Sequence, residues 1–127
     1  MAPADCLYHK EHLWVRREGA NEAWIGMTDH AQENLGDVSY IEHPEAGNEI
    51  KEGVSFGTVE SIKTTSDLVS PISGTILSVN EILAADPSHI NRDPYREGWI
   101  LKVRIGDVGE LSKLMSAEQY EIQLNGG

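Results

Sequence analysis

The feature that most restricts the fold of this 127-residue chain is a two-residue period of apolar and polar residues, which runs through its first two thirds. Residues 13–17 and 23–27 show this pattern on either side of a turn at 19–21, which predicts a β-hairpin. Further strands are predicted at 38–41, 56–62, 67–69, 75–80 and 99–105. The chain is therefore expected to be mainly β.

Helical signals are short and few. Thr28 is placed to cap a helix over 29–35, with the acidic Asp29 near its positive end and Gly36 where the helix should stop. Residues 81–93 predict a loop or a short helical turn.

The tail of the chain differs from the rest because residues 111–115 have helical spacing. Ser116 and Gln119 then form a capping-box pattern ahead of a last helix. Strands followed by terminal helices predict a β-dominated α+β fold. Because no linker divides the chain, we expect one domain over residues 1–127.

Charge and cysteine content narrow the function classes. Twenty-one acidic and ten basic side chains give a net charge of −11, which opposes nucleic-acid binding. The acidic surface favours docking to basic partner surfaces, or it serves solubility alone. Cys6 is the single cysteine and lies near a terminus that we expect to be mobile, so it is interpreted as an incidental thiol in a reducing compartment. No segment predicts a signal peptide or membrane span, and a cytoplasmic location is expected.

The sequence contains no recognisable catalytic motif. It has no Gly-x-Ser-x-Gly elbow, no Gly-rich phosphate loop and no His-Glu-x-x-His helix. The five histidines lie in separate segments and do not predict a metal site; they are His9, His12, His30, His43 and His89. We therefore expect a protein that is not itself an enzyme.

Lys63 is the most informative candidate residue, because it follows one predicted strand and precedes another at the tip of a hairpin. Nothing nearby should make its amine a strong nucleophile. A hairpin tip instead offers exposure and a fixed direction, which suit enzymatic modification and a tethered group.

The residues around Lys63 resemble a known motif. Residues 57–63 (GTVESIK), 66–68 (SDL) and 70–74 (SPISG) are similar to the lipoyl-lysine motif of the glycine cleavage system H protein family. Blocks at 12–15, 26–32, 35–38, 44–47 and 91–99 also resemble family segments, in family order. The resemblance extends from about Leu7 to Tyr120.

This resemblance implies a barrel-sandwich hybrid of two small antiparallel sheets, with lipoate attached covalently to Lys63. Ile62 and Thr64 flank the lysine, whereas biotinyl carrier domains have methionines there. Glu60, Asp67 and Gly74 match family positions around the modification site and are candidates for recognition or arm contacts.

The implied function is a monomeric carrier that shuttles an aminomethyl group between three enzymes. Its implied partners are glycine decarboxylase, aminomethyltransferase and dihydrolipoamide dehydrogenase, besides the lipoate ligase or lipoyl transferase that attaches the cofactor. Tethering raises the effective concentration of the cofactor at each docked partner.

One difference from the family pattern keeps a second interpretation of the function open. Leu13 stands where the family has a glutamate that holds the amine-loaded arm, and it is either a tolerated change on an exposed strand face or a loss of that contact. Asp67 offers partial compensation. Leu13 and the threonines at 64 and 65 keep an alternative open, namely an H-protein-like paralogue. Such a paralogue would serve heterodisulfide-reductase-like sulfur oxidation or lipoyl-linked redox defence.

Aromatic and histidine side chains have simpler interpretations. Trp14, Trp24 and Trp99 lie on predicted strands and are expected to pack in the core or on a sheet. His30 lies near the arm cleft by family position, although a surface histidine is the favoured interpretation.

Overall fold

The computed structural model describes residues 3–42 and 44–124, with the side chains of 32–34 left out. His43, one of the histidines considered above, lies outside the described residues. The strands are β1 (Leu7–Tyr8), β2 (Leu13–Glu18), β3 (Glu22–Met27), β4 (Val38–Glu42), β5 (Glu49–Ile50), β6 (Ser55–Ser61), β7 (Thr65–Val69), β8 (Gly74–Val79) and β9 (Leu101–Ile105). The helices are α1 (Asp29–Leu35), α2 (Ile82–Ala85), α3 (His89–Arg92), a 3₁₀ helix (Val108–Lys113) and α4 (Ala117–Leu124).

Two antiparallel sheets form the framework. One has six strands in the order β1-β2-β3-β9-β8-β5, and the other has three in the order β4-β6-β7. The predicted hairpin of β2 and β3 is confirmed, with Leu13 opposite Met27 and Glu18 opposite Glu22. Gly19 has a φ of +67° in the connecting turn, a conformation that glycine adopts without a side-chain clash.

The larger of two hydrophobic clusters in the described residues contains side chains from both sheets. Alternate residues of the larger sheet, such as Ile25 and Val103, and residues of the smaller sheet, such as Val59 and Leu68, are buried in it. The other residues of these strands point to the opposite face, because successive side chains of a strand alternate between the two faces. The two-residue period in the sequence thus marks the inner faces of the sheets.

A second, smaller cluster contains Tyr8, Trp14 and Tyr120, and helix α4 contributes Tyr120. The predicted capping box is confirmed at the start of this helix. Ser116 N donates to Gln119 Oε1 at 2.9 Å, and Gln119 N donates to Ser116 Oγ at 3.2 Å.

Cys6 belongs to this second cluster and is only 3% exposed. The thiol is therefore packed inside the protein, which its position near the terminus did not indicate. Burial, together with the neighbouring Asp5, raises the pKa of the Cys6 thiol to about 11. A thiol held protonated in this way is a poor nucleophile.

Element boundaries differ from the prediction around the lysine. The strand predicted at 56–62 ends at Ser61, and the strand predicted at 67–69 already begins at Thr65. The ladder extends that far because Glu60 pairs with Thr65 and Ser61 N donates to Thr64 O at 2.8 Å. Ile62 therefore belongs to the turn.

Other elements were missed or altered. The two-residue strands β1 and β5 were not predicted, because so short a segment carries no periodic signal. Residues 81–93 contain the two short helices α2 and α3, and the first tail helix is of the 3₁₀ type. Within the described ranges, no helix has the length and apolar character needed to cross a membrane.

Candidate functional site

Lys63 occupies the tip of the hairpin formed by β6 and β7. Ser61 Oγ accepts hydrogen bonds from the backbone N–H groups of Lys63 and Thr64, both at 3.1 Å. The serine hydroxyl itself lies 3.2 Å from Thr64 O, to which it donates. One short polar side chain thereby fixes the two tip residues, Ile62 and Lys63, as serine hydroxyls do in tight turns.

Both tip residues are open to solvent, and Ile62 is 78% exposed although it is apolar. Lys63 forms no ion pair with any residue in 3–42 or 44–124. An exposed, unpaired amine on a hydrogen-bonded turn is accessible to a modifying enzyme.

The hydrocarbon part of the Lys63 side chain lies against Gly36, at the end of α1. A Cβ atom on Gly36 would stand 3.4 Å from Lys63 Cε and 3.6 Å from Cδ. Gly36 has a φ of +79°, and its carbonyl accepts a hydrogen bond from Asn91 Nδ2 at 2.8 Å. Asn91 Oδ1 in turn accepts from Val38 N at 2.8 Å, so this glycine surface is held in place from α3.

A cleft of about 290 Å³ lies beside the hairpin. β7 forms one wall, while β2 and α1 contribute the others. The side chains around it are apolar at Leu13, Met27, Ala31, Leu35 and Leu68 and polar at Glu11, His12, Thr64, Thr65, Ser66 and Asp67. The cleft can hold an elongated apolar chain with a polar end.

Leu13 is 2% exposed and belongs to the main hydrophobic cluster. Its interpretation as a change on an exposed strand face was therefore wrong. The side chain is an apolar part of the cleft wall, whereas the carboxylates of Glu11 and Asp67 are exposed around the same cleft.

His12 is a site residue that sequence reasoning did not single out. Its φ is +69°, which is uncommon for a residue with a side chain. Tyr120 Oη lies 2.7 Å from His12 Nδ1 and 2.8 Å from Thr28 Oγ1, and the latter accepts from Ala31 N at 3.2 Å. The predicted Thr28 cap of α1 is thus confirmed, and α4 is tied to the cleft.

Burial, and secondarily the His30 ring 4.9 Å away, lowers the pKa of His12. The imidazole is therefore neutral near pH 7. Tyr120 follows His12 by 108 positions, so no local sequence pattern predicts the hydrogen bond between them.

The other predicted site residues separate into two groups. Glu60 and Asp67 lie on the same hairpin as Lys63, both with exposed side chains. Gly74 begins β8 in the larger sheet, where a Cβ would come within 2.2 Å of the Arg104 carbonyl oxygen. Close approach of two strands is a sufficient reason for this glycine.

Tryptophan packing follows the expectation. Trp14 is fully buried, and its Nε1 donates to Pro94 O at 2.9 Å. Trp24 and Trp99 are half-buried and meet edge to face with ring centroids 4.8 Å apart. Across the residues that the structure describes, no three His, Cys, Asp or Glu side chains are placed to hold a metal ion.

Known proteins share this sequence and architecture. The profile of the family described as Glycine cleavage H-protein matches residues 6–126. A glycine cleavage system H protein from Geobacillus kaustophilus is 47% identical over 125 residues, covering 98% of both chains. A mitochondrial glycine cleavage system H protein 2 from Arabidopsis thaliana is 49% identical over 116 residues, covering 91% of this chain and 74% of its own.

Among solved structures, the crystal structure of a glycine cleavage system H protein from Mycobacterium marinum matches with a TM-score of 0.89 and 39% identity. The match covers 98% of this chain and 99% of the other, and it confirms the predicted β-dominated barrel-sandwich fold. The chain belongs to the glycine cleavage system H protein family.

Proposed function

We propose that Lys63 carries a lipoyl group in amide linkage and that this protein presents it to the enzymes of a glycine cleavage system. Members of the family are the lipoyl carriers of that system. The observation that carries the assignment to Lys63 is its position as an exposed, unpaired lysine at the tip of a turn fixed by Ser61.

The surroundings of Lys63 fit a long tethered group. Gly36 lies along the lysine hydrocarbon chain, since a Cβ there would stand in ordinary van der Waals contact with Cε, at 3.4 Å. The cleft beside the hairpin offers the apolar side chains of Leu13 and Leu68 to the hydrocarbon part of the group. The exposed carboxylate of Asp67 is available to a polar end.

When bound, the dithiolane supplies the thiol–disulfide chemistry of the carrier. The protein supplies position: a rigid turn, a glycine surface and a cleft of about 290 Å³. We infer that the chain has no activity of its own and that its acidic surface, with a net charge of −11, docks onto basic entrances of partners.

The partners we propose are glycine decarboxylase, aminomethyltransferase and dihydrolipoamide dehydrogenase, with a lipoate ligase or lipoyl transferase for attachment. The similarity to H proteins favours the glycine pathway over sulfur oxidation or redox defence. The single domain over 1–127, the monomeric state and the cytoplasmic location stay predictions.

Intact-mass measurement tests the attachment. Protein produced with a lipoate ligase and lipoate should gain the mass of one lipoyl group, and the Lys63→Arg variant should gain none. Lys51→Arg is the matched control, because Lys51 is also exposed and lies outside the hairpin. Modification of Lys63→Arg, or none in the wild type, would contradict the assignment.

Reconstitution tests the pathway. Lipoylated protein with glycine decarboxylase should support exchange between glycine and bicarbonate, and unmodified protein should not. No exchange from a fully lipoylated sample would eliminate the glycine role and leave attachment at Lys63 intact.

A further inference from the structure

A second cleft, of about 310 Å³, shares no lining residue with the cleft beside Lys63. It lies between β1, the end of the 3₁₀ helix and the segment that contains Glu52. Its charged and polar lining residues include His9, Lys10, Glu52 and Lys113. None of them takes part in the function proposed above.

His9 gives this cleft a fixed hydrogen-bond donor. The residue is 7% exposed, and its Nδ1 accepts a hydrogen bond from Glu11 N at 3.1 Å. Burial lowers the pKa of His9, so the ring is neutral near pH 7 and its proton resides on Nε2.

The Nε2 atom of His9 has no hydrogen-bond partner among the described residues. Its nearest charged neighbour is Glu52 Oε2 at 3.9 Å, which is beyond hydrogen-bond distance. The atom is not sealed from solvent, since every fully buried polar side-chain atom in the described part has a partner. A donor without a partner in the described part of the chain therefore belongs to a residue that lines the cleft, and it is open to solvent.

Two lysines, Lys10 and Lys113, line the same cleft as His9. Lys10 and Lys113 are exposed, and neither forms an ion pair within the described ranges. Lys102, by contrast, is paired with Glu18 and Glu22 at 3.1 and 3.4 Å. The cleft thus contains two lysines without an ion pair in the described ranges, in a chain with 21 acidic residues.

We propose that this cleft binds a small monocarboxylate that also carries a hydrogen-bond donor, that is, an amino acid or a hydroxy acid. The carboxylate accepts from His9 Nε2 and attracts the ammonium groups of Lys10 and Lys113. The amino or hydroxyl group donates to the carboxylate of Glu52. Pro71 and Met115 supply apolar lining for the carbon chain.

The mixed charge of the lining selects this class of ligand. Lys10, Lys113 and Glu52 together carry one net positive charge, which suits a single carboxylate better than a polyanion. Charge-assisted hydrogen bonds of this kind are the stronger ones in proteins. If the ligand has no hydrogen-bond donor, the Glu52 carboxylate faces the ligand carboxylate, and the two negative charges repel each other.

Binding is measured by NMR on isotope-labelled, unlipoylated Lys63→Arg protein, so that the result is independent of the lipoyl function. The probes are glycine and glycolate, the smallest amino and hydroxy acids, with acetate and methylamine as probes that each lack one group. Saturable shifts of His9 Nε2 and of the Met115 amide are expected with glycine, glycolate or both. Acetate should bind more weakly and methylamine should cause no saturable shift.

Three variants sharpen the test. Lys113→Gln should weaken binding about tenfold, the loss of one charge-assisted contact. Lys51→Gln, an exposed lysine outside the cleft, should leave binding unchanged. Glu52→Gln should remove the preference for glycine over acetate.

Comparison of the affinities for glycine and glycolate identifies whether the cleft prefers an amino or a hydroxyl donor. Saturable binding of either ligand supports the site. Absence of saturable shifts with both, acetate binding as tightly as either, or equal affinity in Lys113→Gln would overturn it. Loss of lipoylation would not bear on it, because the protein under test has no lysine at position 63.

Discussion

Gly74 offers a clear test of whether a family-matched residue acts in recognition or in packing. A Cβ at this position would stand 2.2 Å from the Arg104 carbonyl oxygen and 3.2 Å from its carbon. Ordinary van der Waals contact begins at 3.4 Å, so relieving the 2.2 Å approach in Gly74→Ala requires a shift of about a quarter of the roughly 4.8 Å spacing between β8 and β9. A backbone atom cannot rotate away as a side chain can.

The cost follows from two terms. Overpacking of this kind costs about 1–3 kcal/mol, and stretching ladder hydrogen bonds near the Gly74–Ile105 pair adds about 1 kcal/mol. We therefore expect Gly74→Ala to lose about 3 kcal/mol of unfolding free energy. With a urea m-value of about 1–3 kcal/mol/M, the midpoint falls by roughly 1–3 M.

Urea denaturation followed by circular dichroism measures this loss. Gly106→Ala is the matched control, since its Cβ would meet Ser73 O at 3.3 Å and displace it only slightly. The folded fraction of Gly74→Ala should still be lipoylated at the wild-type rate if packing is the reason for the glycine. A midpoint equal to that of Gly106→Ala, or a stable protein that is lipoylated slowly, would refute the packing argument.

Three other perturbations have defined outcomes. Leu13→Ala, which truncates a side chain that is 2% exposed, should lower the unfolding free energy by about 2–4 kcal/mol in urea titrations. Tyr120→Phe removes the hydroxyl shared by His12 and Thr28 and should lower it by about 1–2 kcal/mol, with larger NMR shifts at the Thr28-capped end of α1 than in β8. Because burial lowers the pKa values of His9 and His12 in the folded state, the unfolded chain takes up protons first. The unfolding free energy should therefore fall as the pH drops through about 6.5 and recover above it, as urea titrations at pH 7.5, 6 and 5 will show.

The predictable parts of the structure are those whose cause is local. The β2–β3 hairpin follows from alternation on either side of Gly19, and the caps at Thr28 and Ser116 follow from side chains that bond within three residues. The hairpin with Lys63 at its tip is of the same kind, although the ladder extends further than the pattern indicates because the Ser61–Thr64 bonds continue it.

The parts that could not be predicted depend on segments distant in the chain. Leu13 was interpreted as a residue on an exposed strand face, yet it is buried in the main hydrophobic cluster beside a cleft to which β7 and α1 also contribute. Cys6 is covered by Tyr8, Trp14 and Tyr120, of which Tyr120 comes from the opposite end of the chain. The alternation of apolar and polar residues along the sequence does not show which distant segments will pack over a given side chain.

The sequence by itself determined the direction of Lys63, because Ser61 and the two strands that fix the turn are its immediate neighbours. Only the tertiary structure decided what lies beside the lysine: the bare surface of Gly36 and a cleft assembled from β2, α1 and β7. Backbone hydrogen bonds within a turn are local, whereas a cleft exists only where separate segments pack together and leave a space between them.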